Sequence, residues 1–264
     1  MQTITKQCPR CQQEMFVDSH EDLTWPATPE NYEARVNAML ALVHCDECVA
    51  ALDHERTTGA AHRKARAAKA MSYDSGWLLR DTEHHTFKHS NYKFENRTAD
   101  IETAFEWGKT WTPKIPKNCA YVQGTKGAGK SYFCHCVLNS ALSHGLTARE
   151  VQAKEIQDHA MDFEKRRAAA IALGHIKRVG CLLIEEVGIV NWTEYGLTEL
   201  RNVIDYRYRN HLPTLMTSNF SAEDQRLQWN ARCNNKSIVG PMIDRMQYFV
   251  RFKFEAESLR KFAV

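Results

Sequence analysis

The sequence predicts a three-layer α/β domain on a parallel sheet, preceded by a small metal-binding module. Three observations carry that fold class. From Cys119 onward short apolar runs alternate with helix-period stretches, as parallel strands alternate with crossover helices. The first of those runs passes into a glycine-rich loop, Gly124 to Ser131, that opens an amphipathic helix. Upstream, two Cys-x-x-Cys pairs bracket a helical segment within residues 1–70.

Composition bounds the rest. With 264 residues, 43% hydrophobic and 25% charged, the chain is long enough for one ordinary domain plus a small module and is of globular type. It has no run of about 18 apolar residues to span a membrane, and MQTITKQCPRC lacks a basic-then-apolar signal pattern. The expected compartment is therefore the cytoplasm, where nine cysteines point to metal ligands and buried thiols rather than disulfides. A net charge of +3 does not by itself imply a nucleic-acid partner. The stretch RTTGAAHRKARAAK, Arg56 to Lys69, has five basic residues, no acid and many alanines, which suits a solvated helix.

Along the chain, residues 1–70 form the module, with Tyr32, Val36, Met39, Leu40 and Val43 at helical spacing. Residues 71–97 mix polar and aromatic side chains without a period and read as a linker. Residues 98–264 form the main domain, beginning with a helix at about Asp100–Lys109. Its strands are expected at Cys119–Gln123, Ala148–Ala153, Val179–Ile184 and Pro213–Ser218. Helices are expected near Lys130–His144, Ile156–Ala172 and Tyr195–His211, the first stopping at Gly145.

Gly124-Thr125-Lys126-Gly127-Ala128-Gly129-Lys130-Ser131 matches the Walker A pattern, in the required place between a strand and a helix. The glycines let backbone N–H groups curl around phosphates, Lys130 reaches the terminal phosphates, and the Ser131 hydroxyl can ligate magnesium. The expected ligands are thus ATP and magnesium. A partner acid belongs at the end of another apolar strand, and Cys181-Leu182-Leu183-Ile184-Glu185-Glu186 supplies two. Glu185 would support magnesium and Glu186 would position the attacking water. The usual residue at the first of these places is Asp, so Glu185 is a departure.

Walker A and Walker B followed by Leu215-Met216-Thr217-Ser218-Asn219 and Ile243-Asp244-Arg245-Met246 resemble AAA+ ATPases of the DnaC/IstB type, over about residues 95–264. The resemblance implies that Asn219 is sensor 1, beside the γ-phosphate and the water. It implies that Arg245 is an arginine finger reaching a neighbouring subunit's nucleotide, and that Arg260 in Ser258-Leu259-Arg260 carries sensor 2. Fewer than twenty residues follow Arg245, which suits the minimal lid of this family. The helix near Ile156–Ala172 stands where this clade places a helix that meets single-stranded DNA. There Phe163, Lys165, Arg166 and Arg167 combine a stacking ring with backbone-binding charges, or equally a core aromatic with a solvated face.

Cys8-Pro9-Arg10-Cys11 and Cys45-Asp46-Glu47-Cys48 have the spacing that brings two thiolates of a pair to one tetrahedral ion, so two pairs close a structural zinc site. Their long separation favours a ribbon or knuckle with an inserted helix over a DNA-reading finger, and His44 could replace one ligand. Cys119, Cys134, Cys136, Cys181 and Cys233 lie on or beside apolar runs and read as buried thiols.

The family resemblance implies a bacterial or phage ATPase that loads a hexameric replicative DNA helicase onto single-stranded DNA and self-associates when ATP-bound. An IstB-like transposition ATPase assembling on DNA with a transposase is the alternative. A nucleotide-binding scaffold without turnover is a third reading, which the acids, Asn219 and Arg245 disfavour.

Overall fold

The structure, a computed structural model, describes residues 3–7, 14–18, 46–87, 98–115, 117–162, 164–233 and 235–256. The chain divides into two compact units, Met1–Arg63 and Lys64–Val264. In the first, β1 (Thr3–Gln7) and β2 (Glu14–Asp18) pair antiparallel, with Gln7 opposite Glu14. Helix α1 (Asp46–Asp74) contains the basic stretch, which is helical as its composition suggests. No helix among the described residues is long and apolar enough to cross a membrane.

The second unit is the expected three-layer domain. Its sheet has the order β4-β5-β6-β3-β7, with every pairing parallel: β3 (Ala120–Gly124), β4 (Ala148–Gln152), β5 (Cys181–Glu185), β6 (Thr214–Ser218) and β7 (Val250–Phe254). A parallel sheet is covered on both faces, and β5 and β6 are accordingly buried along their whole length. Alternate residues feed opposite cores. From β5, Cys181 and Leu183 pack with Phe105, Phe133, Val137 and Leu138. Leu182 and Ile184 pack on the other face with Ile156, Ile176, Leu200 and Met242.

The first core is covered by α2 (Ala99–Lys109) and α3 (Lys130–Ser143). The second is covered by α4 (Ala153–Met161), α5 (Arg166–Arg178), α6 (Glu194–Arg209), α7 (Ala222–Arg232) and α8 (Lys236–Met246). The single helix expected near Ile156–Ala172 is in fact two. Asp162 ends the first and its Oδ1 accepts from the Lys165 N–H at 2.9 Å, a local turn that competes with helix continuation.

Residues 71–87, expected as linker, belong to the packed unit. Met71 to Asp74 complete α1, Arg80–His84 form a 3₁₀ turn, and Tyr73 and Leu78 are buried in the first core. The Glu150 N–H donates to the Trp77 carbonyl at 3.0 Å and the Ala148 N–H to the Ser72 hydroxyl at 2.9 Å, so this segment covers the exposed edge of β4. The Asn139 amide of α3 donates to the carbonyls of Thr82 and His85 at 2.8 and 2.9 Å. The helix that carries the phosphate loop is thereby braced from behind.

Candidate nucleotide-binding and active site

Strand β3 lies where the connectivity reverses, with β4–β6 on one side and β7 on the other, and ligands of open α/β sheets bind beyond the strand ends at such a point. A polar cavity of about 310 Å³ sits there, between the glycine loop, Glu186 and the Thr217–Asn219 strand end. The loop conformation requires its glycines. Gly127 and Gly129 have φ of 81° and 87°, in the left-handed region. Gly124 has φ 143°, and a Cβ there would stand 1.9 Å from the Phe254 carbonyl oxygen. Strand β7 anchors the loop: the Thr125 N–H donates to the Phe254 carbonyl at 3.1 Å and its hydroxyl to the Ala256 carbonyl at 3.0 Å.

The Lys130 ammonium donates to the Gly124 and Thr125 carbonyls, both at 2.8 Å, and to Asn219 Oδ1 at 3.1 Å. Asn219 and Lys130, 89 residues apart in sequence, are thus in contact. With Oδ1 accepting, the Asn219 amide nitrogen remains the group that can donate toward a phosphate or water. Lys126, Gly127, Gly129 and Ser131 line the same cavity, while Ala128 is fully buried beneath the loop.

The two acids differ sharply. Glu185 is 7% exposed, and burial raises its carboxyl above the usual range, assisted by the Glu150 charge and opposed by the Ser131 hydroxyl and Gln152 amide. Burial alone would also raise Glu150, but the hydrogen bond and charge of His135 hold it below the usual range. Glu186 is exposed at the cavity and has φ 60°, unusual for a residue with a side chain. Its N–H donates to the Thr217 hydroxyl at 3.0 Å, and the Val187 N–H to the Thr217 carbonyl at 3.0 Å. Thr217 therefore fixes the turn that aims Glu186, a role that depends on the register of β5 with β6.

The donor set fits magnesium. Ser131 and Glu185 offer only oxygen, leaving the remaining positions to phosphate and water, the usual mode for this ion. Glu185 Oε1 is buried without a hydrogen-bond partner among the described residues, which costs about 1–3 kcal/mol unless a cation or water meets it.

Arg245, in the last turn of α8, does not line this cavity. Its Nε donates to Asp205 Oδ1 at 2.6 Å, and its guanidinium lies 5.9 Å from the Tyr208 ring centre. Cys134, Cys136, Cys181 and Cys233 are buried thiols and Cys119 is half-buried. Arg260, Phe163, His44, Cys8, Cys11 and Cys45 lie outside the described residues, as does the side chain of Cys48 on α1.

A family model for IstB-like ATP-binding proteins matches residues 51–262, most of the chain and the whole of this site. The chain belongs to that family. The replicative helicase loader DnaC of Escherichia coli K12 is 22% identical over 159 residues, which are 58% of this chain and 65% of that protein. This IstB-like protein therefore spans just under two thirds of the curated relatives it matches. Its fold is similar to the crystal structure of DnaI, at 18% identity and TM-score 0.52 over 69% of this chain and 94% of that one. It is also similar to a DnaC helicase loader, at 12% identity and TM-score 0.51 over 67% and 99%. The domain is an AAA+ ATP-binding fold of the DnaC/IstB type.

Proposed function

We propose that this IstB-like protein is an ATP-dependent loader of a hexameric replicative DNA helicase, acting on single-stranded DNA in the bacterial cytoplasm. The observation that carries the reading is a glycine-loop cavity with Lys130, Ser131, Glu186 and Asn219 on its walls, in a chain of which 58% matches a curated helicase loader. In it, the loop N–H groups and Lys130 bind the triphosphate, and Ser131 and Glu185 hold magnesium, which neutralises charge on the phosphates. Glu186 orients the attacking water and Asn219 donates to the γ-phosphate. Arg245 acts across a subunit boundary in an ATP-bound homo-oligomer, and Arg260 contacts nucleotide from the sensor 2 segment. Exposed Arg167 at the start of α5 contributes to single-stranded DNA binding.

The N-terminal module, with Cys8, Cys11, Cys45 and Cys48 around one zinc ion, grips the helicase. Strands β1 and β2 flank the first cysteine pair in sequence, an arrangement suited to a metal knuckle. The family match favours one further reading, an IstB-like transposition ATPase that assembles on DNA with a transposase.

The test is co-purification of the full chain with the host replicative helicase in the presence of ATP, together with zinc analysis. The wild type is expected to capture the helicase and hold one zinc per chain. Cys45→Ser should lose both while still binding ATP. Failure of the wild type to capture the helicase would overturn the loader reading. Full zinc retention in Cys45→Ser would overturn the four-cysteine site.

A further inference from the structure

We infer that Gln152 is a positioning residue for Glu185, and through it for the magnesium that accompanies nucleotide; this rests on the nucleotide site proposed above. Strands β4 and β5 run parallel in a register that sets Gln152 beside Glu185 at their carboxyl ends. Gln152 is also the N-cap of α4, with extended backbone at φ −72° and ψ 137°. The short side chains of Ser, Thr, Asp and Asn in that place turn onto the free N–H groups of their own helix. Gln152 makes no such bond. Its Nε2 donates instead to Glu185 Oε2 at 3.2 Å.

The consequence is directional. A carboxylate has two oxygens, and Gln152 engages Oε2, leaving Oε1 as the buried atom without a hydrogen-bond partner among the described residues. The next residue on the same face of β4, Glu150, also meets Glu185, but as an ionised carboxylate it has no proton to donate to it. It is itself held by His135, whose Nε2 donates to Glu150 Oε2 at 2.9 Å, with side chains only 10% and 15% exposed. Glu185 is therefore bounded by a fixed acid on one side and by the Gln152 donor on the other. Gln152 itself is exposed, so its replacement does not disturb the core.

The experiment measures binding of a fluorescent ADP analogue to the full chain in magnesium and in EDTA. Gln152→Met keeps the length and removes the donor. It should reduce the strengthening of binding by magnesium about tenfold or more, the size of a lost hydrogen bond to a charged group, and leave the affinity in EDTA unchanged. In a Glu185→Gln background the same change should have no further effect, because the oriented carboxylate is already gone. An unchanged magnesium effect in Gln152→Met would overturn the inference. So would equal loss of affinity with and without magnesium, or an undiminished effect in the Glu185→Gln background. A wild type that binds the analogue equally well in EDTA would remove the magnesium site itself, a failure distinct from that of Gln152 alone.

Discussion

Arg245→Ala is expected to bind ATP nearly as well as wild type and to hydrolyse it about 10³-fold or more slowly, the range lost with arginine fingers in other phosphoryl-transfer systems. Two features of the fold support this split between binding and turnover. Arg245 does not line the cavity of its own chain, so its loss leaves the loop, Lys130 and Ser131 in place. Its guanidinium is also prearranged, with Nε on Asp205 Oδ1 at 2.6 Å and Nη1 on the Pro241 carbonyl at 2.8 Å. Asp205 holds Arg209 as well, at 2.8 Å from its other oxygen, so the group of three side chains keeps a net positive charge. A planar, always charged donor of this kind stabilises charge building on a γ-phosphate in a way that lysine does not. Mixing Arg245→Ala with Lys130→Ala should restore part of the activity, since a mixed interface can contain one intact pocket and one intact arginine. A mixture that assembles yet stays as inactive as its components would exclude a role in trans.

The largest effect on stability is expected at Arg207. The residue is 1% exposed, and its guanidinium contacts no carboxylate among the described residues. It donates to the Thr214 hydroxyl at 2.9 Å and to the carbonyls of Ile176, Lys177, Val179 and Pro213 at 2.6 to 3.3 Å. These carbonyls lie where α5 ends and β5 and β6 begin, so one side chain joins three segments of the second core. Burial lowers its pKa to about 10, which still leaves it charged at neutral pH. Arg207→Leu keeps much of the volume and strands several buried acceptors, at a cost of about 3–4 kcal/mol. For a domain of this size that is a fall in Tm of roughly 6–16 °C. Thermal unfolding within 2 °C of wild type, an allowance of roughly half a kcal/mol, would contradict this role.

The parts of the site legible in the sequence are those fixed by short-range chemistry. The loop from Gly124 to Ser131 is specified by its own glycines, and β3 to β6 end within a residue or two of expectation. Strand β7 was not legible. Val250–Phe254 alternates exposed Arg251 and Lys253 with buried Phe252 and Phe254, and its partner β3 lies about 130 residues upstream. Yet Phe254 anchors the phosphate loop through its carbonyl. The roles of Thr217 and Gln152 were hidden for a related reason, because each depends on which residue a neighbouring strand places alongside it. Trp77 and Leu78 lack a period since they cover an edge strand rather than forming an element, whereas Tyr73 lies in the last turn of α1. Asp162 could have signalled the helix break, as a residue whose side chain competes for backbone N–H groups.

The most direct measurement of the central claim is ATP binding and single-turnover hydrolysis for wild type, Lys130→Ala and Glu186→Gln, compared side by side. Lys130→Ala removes the ammonium held at the glycine loop, on the Gly124 and Thr125 carbonyls, and should lose nucleotide affinity. Glu186→Gln keeps the shape and the Thr217-fixed turn but loses the carboxylate, so it should bind ATP like wild type and fall about 10²-fold or more in turnover. Wild-type turnover by Glu186→Gln, or wild-type affinity in Lys130→Ala, would contradict the assignment of this cavity as a working ATPase site.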